Sequence, residues 1–292
     1  MKGKIIKGVA GFYYVHDGVC RTYQCRAKGV FRNRNVKPLV GDNVEFTVLD
    51  EAAGEGNIVS ILPRRNALIR PAVANVDQIL LVFSMRSPAP NWNLLDRFLI
   101  SMEQQEIPTV LCFNKTDLAD QNVEEAYRAV YRNTGYTVCF FSVQSGQGLA
   151  EVEALLPGRT TALAGPSGVG KSSLMNTLKP EAGMETGAVS RKIERGRHTT
   201  RHTELFYLKQ DTFLLDTPGF TSLYVEHLDC RDLRFYFPEF REPAEQCRFL
   251  DCVHVGERDC GVKEAVARGE ISPERYANYR QIYQELKDSK KW

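Results

Sequence analysis

Thr160-Thr-Ala-Leu-Ala164-Gly165-Pro-Ser167-Gly168-Val169-Gly170-Lys171-Ser172-Ser173-Leu174 is the stretch whose reading decides the fold. A short apolar run enters G-x-x-x-x-G-K-[ST], and a run of helix-forming residues leaves it. That is the strand, phosphate loop and helix of a P-loop nucleotide-binding protein. Glycines in the loop let backbone N–H groups turn inward around phosphates. The helix that follows presents its positive end to the same anion. Lys171 is expected to reach the β- and γ-phosphates and Ser172 to ligate Mg²⁺. Gly165, Ser167, Gly168, Val169, Gly170 and Ser173 complete the expected phosphate cradle.

Upstream, strands alternate with helices. Asp77–Ser84 and Ile107–Phe113 are continuous apolar runs, as expected of strands buried on both faces. Leu94, Leu95, Phe98, Leu99 and Met102 fall at helical spacing between them. A helix near 122–134, a strand Thr137–Val143, a short helix at 149–156 and two strands within 204–216 complete an α/β domain with a largely parallel sheet.

Three further motifs sit on this frame. Asn114-Lys115-Thr116-Asp117 follows the strand Ile107–Phe113, at the end where open α/β sheets bind ligands. A carboxylate such as Asp117 can accept two N–H groups from guanine, whereas adenine would leave it poorly paired. Ser142-Val-Gln-Ser145-Gly146 suits a loop supporting the base, with Ser142 and Ser145 as contacts. Asp216-Thr-Pro-Gly219 fits D-x-x-G, with Asp216 holding Mg²⁺ through water and the Gly219 N–H sensing the γ-phosphate.

The order of the motifs is unusual. A Ras-like GTPase reads P-loop, switch I, D-x-x-G, N-K-x-D, then the base loop. Here the last two come first, so the central domain is expected to be a circularly permuted Ras-like GTPase, with its old termini joined near Leu156–Thr160. The region after D-x-x-G then leads directly into the C-terminal segment. Nucleotide state could move that segment through a short link.

Residues 1–63 read as short strands, Ile5–Val15, Val19–Phe31, Val44–Leu49 and Ile58–Leu62, punctuated by glycines. About five strands in about 60 residues suit an OB-fold, with an SH3-like barrel as the alternative. After about residue 222 the chain turns helical. Ser272-Pro-Glu opens a last helix with Tyr276, Tyr279, Ile282, Tyr283 and Leu286 on one stripe. Cys247-x₄-Cys252-x-His254-x₅-Cys260 supplies three thiolates and one imidazole, a set suited to tetrahedral Zn²⁺. With all four positions filled by protein, the ion would be structural. Cys230 is not expected to be a ligand, Cys112 and Cys139 are read as core, and Cys20 and Cys25 as packing. The resulting division is 1–65, 66–221 and 222–292.

Hydrophobic residues make up 43% of the chain and charged residues 25%, as in a soluble globular protein. No apolar run is long enough to span a bilayer, and no secretory signal opens the sequence, so a cytoplasmic protein without a membrane partner is expected. Net charge is only +2, but residues 1–65 hold 11 Lys/Arg against 6 Asp/Glu, and residues 186–203 hold 5 against 1. Basic regions on a near-neutral chain suggest a polyanionic partner.

Asn114–Asp117, Gly165–Ser172, Gly196-Arg-His-Thr-Thr200, Asp216–Gly219 and the Cys/His cluster together resemble the bacterial small ribosomal subunit-dependent GTPase A family (RsgA/YjeQ/YloQ-like), over essentially the whole chain. The resemblance implies an OB-like barrel, a permuted GTPase and a zinc domain whose ligand spacing is the one seen here. It implies a GTP hydrolase that uses GTP/GDP, Mg²⁺ and one structural Zn²⁺. Its partners would be the small (30S) ribosomal subunit and its 16S ribosomal RNA. The role would be late subunit maturation, with rRNA contact stimulating hydrolysis and hydrolysis causing release. The barrel and the zinc domain would face RNA. A monomer is the default expectation.

The resemblance places switch I at Gly196–Thr200, with Thr200 near Mg²⁺ and Thr199 as its rival. Phe220 occupies the position after D-x-x-G where Ras-type enzymes carry a water-orienting Gln. Phenylalanine cannot hydrogen-bond water, so His198 is the candidate for that task, ahead of His202. A competing reading keeps GTP as a structural ligand of a nucleic-acid-binding module, which Phe220 favours. An ATP-dependent enzyme conflicts with Asn114–Asp117.

Overall fold

Apolar and polar residues alternate along the N-terminal strands, and one face of each closes on a common core. The computed structural model describes residues 1–27, 31, 37–68, 71–182, 203–216 and 228–289. Strands β1 (Lys2–Val9), β2 (Phe12–His16), β3 (Thr22–Ala27), β4 (Asn43–Asp50) and β5 (Glu55–Ile61) form a closed barrel in the order β1-β2-β3-β5-β4. β3 and β5 run parallel, and β1 pairs with β4 to close the ring. This is the Greek-key closure of an OB-fold and decides against the SH3-like alternative. Ile5, Val15, Tyr23, Cys25, Val44, Phe46 and Ile58 fill the interior. The run Ile5–Val15, expected as one strand, is split by a hairpin turn in which Ala10 and Gly11 take φ of 51° and 82°. Cys20 is exposed in the β2–β3 turn, so the reading of it as a packing residue is corrected; Cys25 is buried.

A small antiparallel pair, β6 (Ala67–Leu68) and β7 (Val73–Ala74), leads out of the barrel, and Val73 bridges to Val40. The main sheet follows: β8 (Gln78–Ser84), β9 (Thr109–Asn114), β10 (Thr137–Phe140), β11 (Thr160–Ala164), β12 (Leu205–Lys209) and β13 (Thr212–Asp216). Its order is β10-β9-β8-β11-β13-β12, parallel except where β12 runs against β13. Counted from the P-loop strand β11, the same order reads 6-5-4-1-3-2, so the permutation changes connectivity and leaves the sheet intact.

The apolar runs of the sheet strands serve two cores. Ile79, Leu81 and Phe83 of β8 face α1 (Trp92–Gln104) in one cluster, while Leu80 and Val82 face Leu174 and Met175 of α4 (Lys171–Leu178) in the other. Helices α2 (Gln121–Tyr131) and α3 (Leu149–Ala154) complete the covering layers.

The C-terminal region holds two 3₁₀ turns and helices α5 (Arg241–Ala244), α6 (Gly261–Ala267) and α7 (Pro273–Ser289). Ser272 caps α7, its Oγ accepting from the Arg275 N–H at 3.4 Å. Tyr279, Ile282, Tyr283 and Leu286 are buried as the stripe predicted. Arg275 is buried with them. Its Nε and Nη2 donate to Glu239 at 2.7 and 3.0 Å, and Nη1 donates to Asp96 of α1. Asn278 Nδ2 donates to the other Asp96 oxygen at 2.6 Å. Burial pushes the Asp96 carboxyl up, against Arg275 and Asn278, which pull it down. Burial also opposes the Arg275 charge, but Asp96 and Glu239 outweigh it and keep the guanidinium protonated. Ile100 of α1 joins the same C-terminal core. The C-terminal region is thus bolted to α1.

On the other side, the barrel docks on the β12–β13 hairpin. His16 stacks on Tyr207 at 4.0 Å between ring centroids, and Tyr207 Oη lies 3.2 Å from the Gly18 and Val19 carbonyls. Lys7 pairs with Glu204 at 2.8 Å, and Lys4 donates to Thr160 Oγ1 at 3.0 Å.

Candidate nucleotide site and metal centre

The C-terminal ends of β9 and β11 bring the two strongest motifs together. Asn114 closes β9 and is buried, and its Nδ2 donates to the Val169 carbonyl at 2.8 Å. Its Oδ1 accepts from the Lys115 N–H at 2.7 Å and the Val143 N–H at 3.2 Å. One side chain therefore ties the N-K-x-D turn to the P-loop and to the chain after β10. Lys115 sits in the left-handed region at φ 68°, unusual for a lysine, and spans the site to donate to the Gly168 carbonyl at 2.9 Å and to the Ser87 carbonyl.

Asp117 is exposed at the turn after Lys115, and its Oδ1 accepts from the buried Ser142 hydroxyl. Ser142 Oγ in turn accepts from the Ser145 N–H at 3.1 Å. The Ser142–Gly146 loop therefore lies beside Asp117 and orients its carboxylate.

In the P-loop, Gly165 and Gly170 have φ of 130° and 101°. A Cβ on Gly165 would lie 2.0 Å from the Val82 carbonyl oxygen, and one on Gly170 would lie 2.2 Å from Asn114 Nδ2. Only glycine allows this backbone path, which is the path an oxyanion cradle needs. Lys171 opens α4 and donates from Nζ to the Gly165 and Pro166 carbonyls at 2.8 and 2.7 Å. Ser172 and Ser173 follow in the first turn of α4, and Ser167 and Gly168 are exposed at the loop tip. The Asp216 backbone ends β13 opposite Leu163 of the P-loop strand. Glycines, a lysine, a helix N-terminus and two hydroxyls at the C-terminal end of one strand fit a Mg²⁺-nucleotide. Thr199, Thr200, His198, His202, Gly219 and Phe220 lie outside the described residues.

The Cys/His set also converges. The ligand atoms of Cys247, Cys252, His254 and Cys260 all lie within 4.8 Å of one another. Cys247 Sγ is 3.9 Å from Cys260 Sγ, and His254 Nδ1 is 3.5 and 3.4 Å from those two sulfurs. A tetrahedron built with usual zinc–sulfur and zinc–nitrogen bonds has edges of about 3.8 and about 3.6 Å. The donor set therefore fits zinc, through Nδ1 of His254. Burial holds His254 down at about 4, in the neutral form that ligates metal, and pushes the Cys252 thiol up to about 12, so a cation is needed to hold the thiolate. Cys230 is not part of the set. Glu257, which no motif marks, accepts the Val253, Val255 and Gly256 N–H groups at 2.8, 3.0 and 3.0 Å and shapes the ligand loop.

The chain matches the RsgA GTPase family over residues 61–226 and the RsgA N-terminal domain over residues 2–58. It is 50% identical to the small ribosomal subunit biogenesis GTPase RsgA of Agathobacter rectalis, covering 100% of both chains. It is 46% identical to the protein of that name from Alkaliphilus metalliredigens, over 100% of this chain and 99% of that one. Among solved structures, YjeQ from Thermotoga maritima superposes with a TM-score of 0.83 at 35% identity, over 98% of each chain. YloQ, described as a circularly permuted GTPase, gives 0.81 at 39% identity, over 98% of this chain and 95% of that one.

Proposed function

The chain belongs to the RsgA family of circularly permuted GTPases, and from that premise we propose a GTP hydrolase of small ribosomal subunit biogenesis that is stimulated by the subunit and released on hydrolysis. The observation that carries the nucleotide reading is the Asn114 bond to Val169, which joins the guanine-reading turn to the phosphate loop across the permuted connection.

The residues divide the work as follows. Asp117, oriented by Ser142, accepts the guanine N–H groups, and Asn114 and Lys115 hold the base turn against the P-loop. Backbone N–H groups of Gly165–Ser173 and Lys171 hold the phosphates. Ser172, Thr200 and Asp216 surround Mg²⁺, which when bound neutralises charge developing on the phosphates. His198 orients the attacking water, the role Phe220 cannot fill, and Gly219 senses the γ-phosphate. Cys247, Cys252, His254 and Cys260 hold one structural Zn²⁺. Boundaries at 65/66 and 221/222 separate barrel, GTPase and zinc region.

The barrel is the surface proposed for 16S rRNA. Among its described cations, Lys7, Arg21, Arg64 and Arg65 are ion-paired within the protein and Lys4 is held on Thr160, leaving Lys2, Arg26 and Lys37 for phosphates. Binding should weaken with salt as those contacts are lost. The protein works as a cytoplasmic monomer.

The test is GTP hydrolysis with and without purified small subunits. Stimulation by the small subunit and not the large one supports the reading, and His198→Ala should then lower stimulated turnover while leaving GTP affinity nearly unchanged. Tight GTP binding without stimulation would favour the second reading, in which nucleotide stabilises an RNA-binding module; Phe220 is what keeps that reading alive.

A further inference from the structure

Above the Cys/His centre the surface is unusually apolar. Phe235 is 55% exposed, Phe249 47% and Leu250 101%, and these are the exposed phenylalanines and the most exposed leucine among the described residues. They rim a groove of about 460 Å³ whose floor is Phe240, Cys252 and His254. Scattered exposed apolar residues need no explanation, but a cluster around one groove marks a contact surface.

The charges around it are asymmetric. Arg234 is committed, donating to the Leu250 and Cys252 carbonyls at 3.3 and 2.7 Å while lying over the Phe235 ring. Arg241 pairs with Glu103 at 3.3 Å, and Arg248 pairs with Asp259 at 3.1 Å. Glu245, on the groove wall, forms no ion pair with a described residue. Exposed Glu242 and Asp251 stand beside Arg241 and Leu250 in the chain and are likewise unpaired among the described residues. Arg234 Nη1 and Arg241 are thus engaged on the groove wall, although the buried Arg234 Nε has no partner among the described residues, and the carboxylates face outward. Arg258, exposed and without an ion pair among the described residues, lies outside the groove lining. A phosphate backbone would meet those carboxylates, with no exposed, unpaired arginine on the groove wall to receive it.

We propose that this groove docks a basic protein segment: one or two apolar side chains enter beside Phe249 and Leu250, and Lys or Arg side chains meet Glu245, Glu242 and Asp251. The pattern is that of an apolar anchor with a polar rim. Given the function proposed above, the segment belongs to a protein of the small subunit, so this groove takes protein where the family resemblance alone has the zinc region face RNA. Two metal ligands, Cys252 and His254, form part of its floor.

Three probes test this on the full-length, zinc-loaded protein: a fluorescent Lys/Leu peptide, a fluorescent oligouridylate, and purified small subunits. Leu250→Asp changes a fully exposed side chain and Glu245→Lys an exposed one, so both should fold. The wild type should bind the peptide, and each variant should weaken that binding about tenfold while leaving oligouridylate binding unchanged. Each should also weaken small-subunit binding. No peptide binding by the wild type overturns the proposal. So does Glu245→Lys strengthening oligouridylate binding while Leu250→Asp weakens it, which would make the groove an RNA platform. Peptide binding that follows the prediction, without any wild-type binding to small subunits, upholds the groove and counts against the small-subunit reading.

Discussion

The Asn114 amide donates to the Val169 carbonyl at 2.8 Å, joining residues 55 apart in sequence. Asn114→Ala would break that bond and strip the Lys115 and Val143 N–H groups of their acceptor. Each buried polar group left unpaired costs about 1–3 kcal/mol. The variant should melt earlier and bind GDP at least about tenfold more weakly. Calorimetric titration with GDP checks it, and unchanged affinity would remove Asn114 from the site.

Asp117→Asn replaces an acceptor-only group with one that donates. Guanine offers a 2-amino group at that edge and xanthine a carbonyl. GDP affinity should fall by at least about a hundredfold, while xanthosine diphosphate gains. Ser142→Ala, which leaves the carboxylate in place but unoriented, should have the smaller effect. Nucleotide competition orders the two variants, and equal losses would sink the orienting role.

Elemental analysis should find about one zinc per chain. Cobalt substitution should give the visible spectrum of a tetrahedral thiolate site, and Cys260→Ser should abolish it. Cys252 and Cys260 also belong to the C-terminal core, so chelation should lower the melting temperature as well as empty the site. Full stability in chelator would show that the core stands without the ion.

His16 is buried against Tyr207, and its Nδ1 accepts from the Gly18 N–H at 3.0 Å, which requires the neutral ring. Burial pulls its pKa below 6.5, against Asp17 and Asp211. The unfolded chain therefore takes up the proton first as pH falls. The stabilisation is complete above about pH 6.5 and is lost as pH drops through the folded-state value. Comparing the pH dependence of melting for wild type and His16→Gln isolates it; parallel curves would mean that the interface does not sense this proton.

The permuted motif order and the buried strands of the sheet were readable because each motif terminates a strand and each strand is an apolar run. The Cys/His centre was readable because its chemistry lies within a short stretch. Long-range pairing was not. Arg275 stands in an apparent surface position, one residue before the Tyr276 stripe, and nothing local announces Asp96 and Glu239. Counting charge in residues 1–65 overstated the free cations, since four of them answer carboxylates on other elements. The Ser142 loop carries little signature because its contribution is one hydroxyl and one N–H, which many sequences can supply.

The Arg275 cluster also changes what the chain between Asp216 and Leu228 can transmit. Asp216 is fixed by the sheet, and Leu228 is packed in the core that Arg275 fastens to α1. Both flanks of this stretch are therefore anchored. The GTPase sheet and the zinc region are joined through the chain and again, side by side, through Arg275 bound to Asp96 of α1. A joint of the second kind acts like a hinge pin: it limits how far the two regions can travel apart, whatever length of chain connects them.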